Sequence, residues 1–246
     1  MTIALALAGF ATAKEPADPR CYEMRIYYAP PGKLEDLQTR FRDHTLGLFK
    51  KHGIENIGYF VPMDNTNSTL VYLLAYPSRE ARDASWKTFM ADPDWKAAYK
   101  TSEAHGALVA KVEQIFMQPT DYSPAIKTGN FSQGGVFELR TYTTPAGKLA
   151  DLDSRFRDHT VELFKKHGMK NWVYFHKMAG QPEADTTLIY FLAHQSKDAA
   201  KASFEAFRKD PAWVAAKEAS EAGGSLTVKD GVKSVYLAPT DYSPAK

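Results

Sequence analysis

The sequence predicts an α+β protein built from two tandem ferredoxin-like (βαββαβ) units that close on one another as a barrel within one chain. Three observations lead there. One segment occurs twice, as GKLEDLQTRFRDHTLGLFKKHG from Gly32 to Gly53 and GKLADLDSRFRDHTVELFKKHG from Gly147 to Gly168, identical at 17 of 22 positions. The hydrophobic periods around each copy run strand, helix, strand, strand, helix, strand. A four-stranded sheet with helices on one face leaves its other face in need of a cover, and the second copy supplies it.

The elements follow in order. Tyr22, Met24, Ile26 and Tyr28 alternate with Glu23, Arg25 and Tyr27, the period of a strand, and Pro30-Pro31-Gly32 ends it. A helix is predicted over about Lys33 to His52, with Leu34, Leu37, Phe41, His44, Leu48 and His52 on one face at spacings of three and four. Gly53 is suited to stop it. Ile54 to Met63 reads as a second strand, and Asp64 to Ser68 as a turn. The continuous apolar run from Leu70 to Tyr76 reads as a central strand buried on both faces. Ser78 can cap a helix from Arg79 to about Met90, and Asp92-Pro93 can open a short additional helix anchored by Trp95 and Tyr99. A last strand is expected from Val109 to Met117, before Pro119-Thr120-Asp121-Tyr122-Ser123-Pro124. The second unit repeats this plan down to Asp210-Pro211, Trp213 and a closing Pro239-Thr240-Asp241-Tyr242-Ser243-Pro244. The units are therefore placed at 21–124 and 136–244, joined by a flexible linker at 125–135.

Composition narrows the function. The chain has 246 residues, 44% hydrophobic and 24% charged, as in an ordinary globular protein. Thirty-one basic and 29 acidic residues alternate along it, giving a net charge of +2 and no electrostatic footprint for nucleic acid. One cysteine, Cys21, rules out an intrachain disulfide and a CxxC metal site, so no metal centre is expected. Residues 1–13 form a short apolar run ending in Ala11-Thr12-Ala13, the pattern of a signal peptide, too short to span a bilayer. A periplasmic or secreted protein with no membrane span is the expectation. No phosphate loop, HExxH or GxSxG motif is present.

The sharpest candidates for chemistry are His44 and His159, which the helical stripe points at the sheet, where an imidazole can transfer protons near neutral pH. The competing reading is a buried, hydrogen-bonded core histidine. Arg25 with Tyr27, and Arg140 with Tyr142, are expected inside the barrel, as a clamp for an anion or carbonyl oxygen or, with Glu23 and Glu138, as an inter-unit ion-pair network closing the barrel. Tyr59 and Tyr174, with Asn56 and Asn171, are expected to line the same region. Arg42-Asp43 and Arg157-Asp158 read as surface or helix–helix pairs, and Trp86, Trp95, Trp213, Phe204 and Phe207 as core anchors.

The segments CYEMRIYYAPPGKL, RFRDHT, LFKKHG, LVYLLAYPSREARDASW and DPDW, in that order and with counterparts in the second unit, resemble the NIPSNAP family. The resemblance covers Cys21 to Pro124 and Phe137 to Pro244. It implies the dimeric α/β-barrel fold shared with small cofactor-independent monooxygenases, and it brings no established catalytic mechanism. Family members in eukaryotes are associated with mitochondria and vesicle traffic, a role that the apparent leader argues against here. Three readings follow: an exported protein binding a small organic ligand in a pocket between sheet and first helix of each unit; a monooxygenase-like enzyme needing no cofactor, using His44 and His159; and, last, a haem binder with an axial His. The units form a pseudo-dimer within the chain, and whole chains can pair further as a homo-oligomer.

Overall fold

The computed structural model describes residues 18–129 and 135–246. The expected leader at 1–13 and part of the linker lie outside the described residues. In the first half, β1 (Cys21–Tyr28) is followed by α1 (Leu34–Arg40), a π-helical turn (Phe41–Thr45) and α2 (Leu46–Lys51). Then come β2 (Glu55–Pro62), β3 (Thr69–Tyr76), α3 (Arg79–Ala91), α4 (Pro93–Ser102) and β4 (Lys111–Pro119). The second half repeats the order as β5 (Val136–Thr143), α5 (Leu149–Arg155), a second π turn (Phe156–Thr160), α6 (Val161–Lys166), β6 (Lys170–Lys177), β7 (Thr187–His194), α7 (Lys197–Lys209), α8 (Pro211–Ser220) and β8 (Val232–Pro239). The described strands form one closed antiparallel barrel in the order β1-β3-β2-β8-β5-β7-β6-β4.

Local sequence accounts for the boundaries. Ser78 accepts a hydrogen bond from the Ala81 amide at the start of α3, and Ser196 does the same for Ala199 at α7. Asp92 and Asp210 cap α4 and α8 ahead of a proline, as their Asp-Pro pairs predict. Gly53 and Gly168 end the first helix of each half at φ +71° and +78°, a conformation that costs a side-chain-bearing residue energy.

The π turns were not foreseen. In each, the chain shifts to i→i+5 bonding, so that Leu46 N–H reaches the Phe41 carbonyl. The Thr45 hydroxyl, buried, donates to the Arg40 carbonyl at 3.1 Å, and Thr160 does so to Arg155 at the same distance. The Asn56 amide donates to the Leu46 carbonyl at 3.1 Å and Asn171 to Val161 at 2.9 Å, each from the residue beside a bulge in its strand. The extra residue in the turn rotates everything after it. The buried face becomes Leu37, Phe41, Thr45 and Phe49, and His44 and His159 are turned out to solvent. The expectation that these histidines face the sheet is corrected on that account: a stripe at 3.6 residues per turn cannot be carried through a wider turn.

A second correction concerns the barrel interior. It is filled by Tyr22, Met24, Phe60, Val71, Leu73, Phe137, Leu139, Trp172, Phe175 and Phe191, all apolar or aromatic. Phe137 packs 4.9 Å from both Phe60 and Trp172, centroid to centroid, so aromatic rings from both halves meet at the centre. Arg25, Tyr27, Arg140 and Tyr142 belong to the opposite face of their strands and lie beneath the helices. Alternation separates the two faces of β1 without saying which is inside. Desolvation decides: a core closed on all sides by two sheets offers no partner for a guanidinium, whereas the helix side does.

The halves meet along two short seams. Phe60, Val61 and Pro62 pair with Pro239, Ala238 and Leu237, and Met117, Gln118 and Pro119 with Lys177, His176 and Phe175. The two copies of Pro-Thr-Asp-Tyr-Ser-Pro then cross over. Ser243 Oγ accepts from the Tyr59 amide at 2.9 Å, Tyr242 packs against Tyr59, and Asp241 takes a two-pronged ion pair from Arg42 at 2.7 and 2.9 Å. Ser123, Tyr122 and Asp121 do the same for Tyr174 and Arg157. Arg42 and Arg157, expected to make surface or helix–helix pairs, instead join each half to the other half's tail. Residues 125–129 are held as well: Lys127 accepts a hydrogen bond from the Trp172 indole at 2.8 Å, and Gly129 pairs with Ala245.

Candidate functional site

Each half has a cavity between its sheet and its helices. In the first half it measures about 230 Å³ and is bounded by Arg25 and Tyr27 on β1, Arg40 and Phe41 at the first helix, Trp86 and Phe89 on α3, and Trp95 on α4. The second half has its counterpart at about 800 Å³, bounded by Arg140, Tyr142, Arg155, Phe204, Phe207 and Trp213. Substitutions between the repeats explain the difference in size. Phe204 stands where the first half has Trp86, Lys217 replaces Tyr99, and Thr227 replaces Val109.

The strand arginines are fixed by their neighbours. Arg25 donates to Glu23 at 2.6 Å, to Gln114 at 3.1 Å and to the Tyr27 hydroxyl at 3.2 Å, and its guanidinium lies 4.4 Å from the Trp86 ring centre. Arg140 donates to Glu138 at 2.6 Å, to the Tyr190 hydroxyl at 2.9 Å and to the Tyr142 hydroxyl at 3.2 Å, over Phe204. Glu23 also receives both Arg82 nitrogens and the Tyr76 hydroxyl. In the second half Ala200 takes the place of Arg82, and Nε2 of His194 lies 3.0 Å from Glu138. Burial disfavours the charged form of both glutamates. The hydrogen bond from Arg82 and the charge of Arg25 overcome it for Glu23, as His194 and Arg140 do for Glu138, and both carboxyls are held below the ordinary range.

The helical stripe does not include Arg40 or Arg155, yet both are buried, at 4% and 5% exposure. Arg40 donates to Glu103 at 3.0 Å and Arg155 to Glu221 at 2.8 Å, each through Nη1, and each guanidinium lies over Trp95 or Trp213. Their Nε atoms are buried without a hydrogen-bond partner. The repeat carried a signal for this, since Arg-Phe in the first helix and Asp-Pro-x-Trp after the second recur together in both halves. The tryptophans expected as core anchors do pack in or against the helix-side cores, and they also form walls of the cavities.

The other candidates fall elsewhere. Tyr59 and Tyr174 are fully buried, stacked on Tyr72 and Tyr190 with centroids 5.3 and 5.1 Å apart, and border neither cavity. Their hydroxyls bond Asn56 and Asn171, and burial pushes both phenols well above their ordinary pKa. His159 borders a separate groove between α5 and α8. Neither cavity has a His or Cys among its described lining residues, so the His that an axial haem ligand requires is not at hand there. No described helix is long and apolar enough to cross a membrane.

A closed eight-stranded antiparallel barrel with its helices outside and a cavity beneath them in each half defines an α+β barrel. The fold matches a monooxygenase-like protein of Fusobacterium nucleatum over 94% of this chain and 96% of that one, with a TM-score of 0.59 at 9% identity. It matches an anthrone oxidase-like protein over 94% and 95%, again with a TM-score of 0.59, at 13% identity. The NIPSNAP family model matches residues 22–124 and 137–244, and the chain belongs to the NIPSNAP family. Among relatives, it is 24% identical to Protein NipSnap homolog 3B of Mus musculus over 96% of this chain and 90% of that protein. It is 25% identical to Protein NipSnap homolog 3A of Homo sapiens over 97% and 91%.

Proposed function

We propose that this protein binds a small organic ligand in the cavity between sheet and helices, one site for each ferredoxin-like unit, with the second unit's the more capacious. The observation that carries the reading is the combination in each cavity of aromatic walls with a buried guanidinium whose hydrogen-bonding capacity is only partly used. Apolar walls with a few convergent polar groups are what small-molecule sites are made of. A thermal-shift screen over small aromatic and acyl compounds tests it. A subset is expected to raise Tm in a dose-dependent manner and to perturb Trp213. A screen in which no compound does so removes the proposal.

An enzymatic reading has one specific support, the full-length match to monooxygenase-like and oxidase-like folds. In that reading the histidines first singled out are poorly placed, since both face solvent. Oxygen uptake with any compound found in the screen separates enzyme from binding protein. We also propose export, with cleavage after Ala13. N-terminal sequencing of protein recovered from the native host's extracytoplasmic fraction tests this, a mature chain beginning at Lys14 being the expected result.

A further inference from the structure

We infer that the second unit's cavity is a site for a planar aromatic carboxylate, and that its first-unit counterpart is too narrow for a ligand of that class. The inference rests on the ligand-binding reading above and narrows it to one chemical class and one half of the molecule.

Three observations point the same way. The first is the unused edge of Arg155. Its Nη1 is committed to Glu221 at 2.8 Å and Ser220 at 3.4 Å, while Nε, on the opposite edge of the guanidinium, has no partner. That edge, Nε with Nη2, is one of the two geometries in which arginine grips a carboxylate through parallel hydrogen bonds. Protein atoms cover Nε in this structure, so a carboxylate reaches that edge only as the Arg155 side chain shifts, and the unmatched buried donor then gains the acceptor it lacks. Arg140 differs: each of its three nitrogens already has a protein acceptor.

The second observation is charge. Arg140, Arg155, Arg208 and Lys217 border the larger cavity against Glu218 and Glu221. Cations therefore exceed carboxylates by two, and Arg208 and Lys217 are exposed, where they can attract an anion toward the opening. The third is shape. Phe207 and Trp213 pack 4.4 Å apart, centroid to centroid, and the Arg155 guanidinium lies 5.2 Å from the Trp213 ring centre. A flat ring can lie against this wall while its carboxylate meets Arg155. The first unit has the equivalent Arg40 and Trp95, but Trp86 and Tyr99 leave only about 230 Å³, against 800 Å³ in the second. Ligand pockets usually span about 300–1,000 Å³, so only the second is roomy enough.

Titration calorimetry on the full chain with 2-naphthoate, and with 2-naphthylmethanol as its neutral counterpart, tests this. One molecule of 2-naphthoate per chain is expected, with the alcohol at least tenfold weaker. Arg155→Lys, which keeps the charge but loses the fork, is expected to weaken naphthoate about tenfold. Phe204→Trp installs the first unit's own side chain and is expected to abolish binding, while Trp86→Phe widens the narrower cavity and raises the stoichiometry to two. Should Arg155→Lys fail to fold, the exposed Arg208→Gln is the second probe, expected to weaken the carboxylate and leave the alcohol unchanged. Equal binding of acid and alcohol overturns the carboxylate assignment while leaving the cavity a ligand site. Two sites in the unmodified protein overturn the exclusion of this class from the first unit. No binding of either probe, with hits of other chemistry in the screen, overturns this inference alone; no binding by any compound removes the ligand-binding reading with it.

Discussion

At the scale of single residues, the buried charges are the informative ones. Glu23 is fully buried and satisfied by two arginines and a tyrosine, so its contribution depends on its remaining ionised. Its pKa in the folded protein lies below the ordinary 4.5, because Arg82 and Arg25 outweigh the opposing effect of burial. Stability from this depression is fully present above the unfolded-state pKa and is lost as pH falls through the folded-state pKa. Arg82→Leu is therefore expected to cost about 2 kcal/mol at neutral pH and to move acid unfolding to higher pH. Urea denaturation at pH 7 and pH 3 checks the origin: the gap between variant and wild type should narrow in acid, and an undiminished gap would assign the loss to packing over Phe116 and Trp86 instead. Spacing offers an ion pair between Glu23 and Arg25 but not the contacts from Arg82 and Tyr76. Glu23-x-Arg25-x-Tyr27 announces a polar strand face, but Arg82 lies far along the chain and reaches Glu23 only through the fold.

At the scale of elements, the π turn and the crossed tails carry the lessons. The apolar stripe of the first helix holds up to Phe41 and again at Leu48, which packs against the core, but fails at His44, because one inserted residue is invisible to a pattern that still contains Leu48 and His52 on schedule. Thr45 and Thr160, each bonded back across five residues, mark the site in the sequence only in hindsight. The tails were visible as a repeated motif without a role. Their serines do a definable job: Ser243 Oγ is the acceptor for the buried Tyr59 amide, and Ser123 Oγ for Tyr174. Ser243→Ala and Ser123→Ala are each expected to cost about 1–3 kcal/mol, the penalty for a buried amide left without an acceptor. Their effects should add in the double variant, since the two contacts share no partner. Equilibrium denaturation measures all three, and a double variant no worse than either single one would show that the two tail contacts are coupled, the loss of one already releasing the other.

At the scale of the whole molecule, the barrel makes the halves depend on one another. Phe60 and Phe137, in contact at the centre, come from different halves, and the edges of β2 and β4 are covered only by β8 and β6. Residues 21–124 expressed alone would expose both edges and an apolar sheet face. They are expected to dimerise or aggregate, as size exclusion with light scattering would show; a well-folded monomer would deny that the shared interior is needed. The sequence by itself determined the duplication, the element order, the helix caps and the closure of two sheets into a barrel, because these follow from local periodicity and from the need to cover an apolar face. Tertiary structure alone decided which face of β1 and β5 is interior, where His44 and His159 point, and that Arg40 and Arg155 meet Trp95 and Trp213 beside a cavity. Those outcomes depend on where a buried charge finds its partner, and its partner lies on another element of the chain.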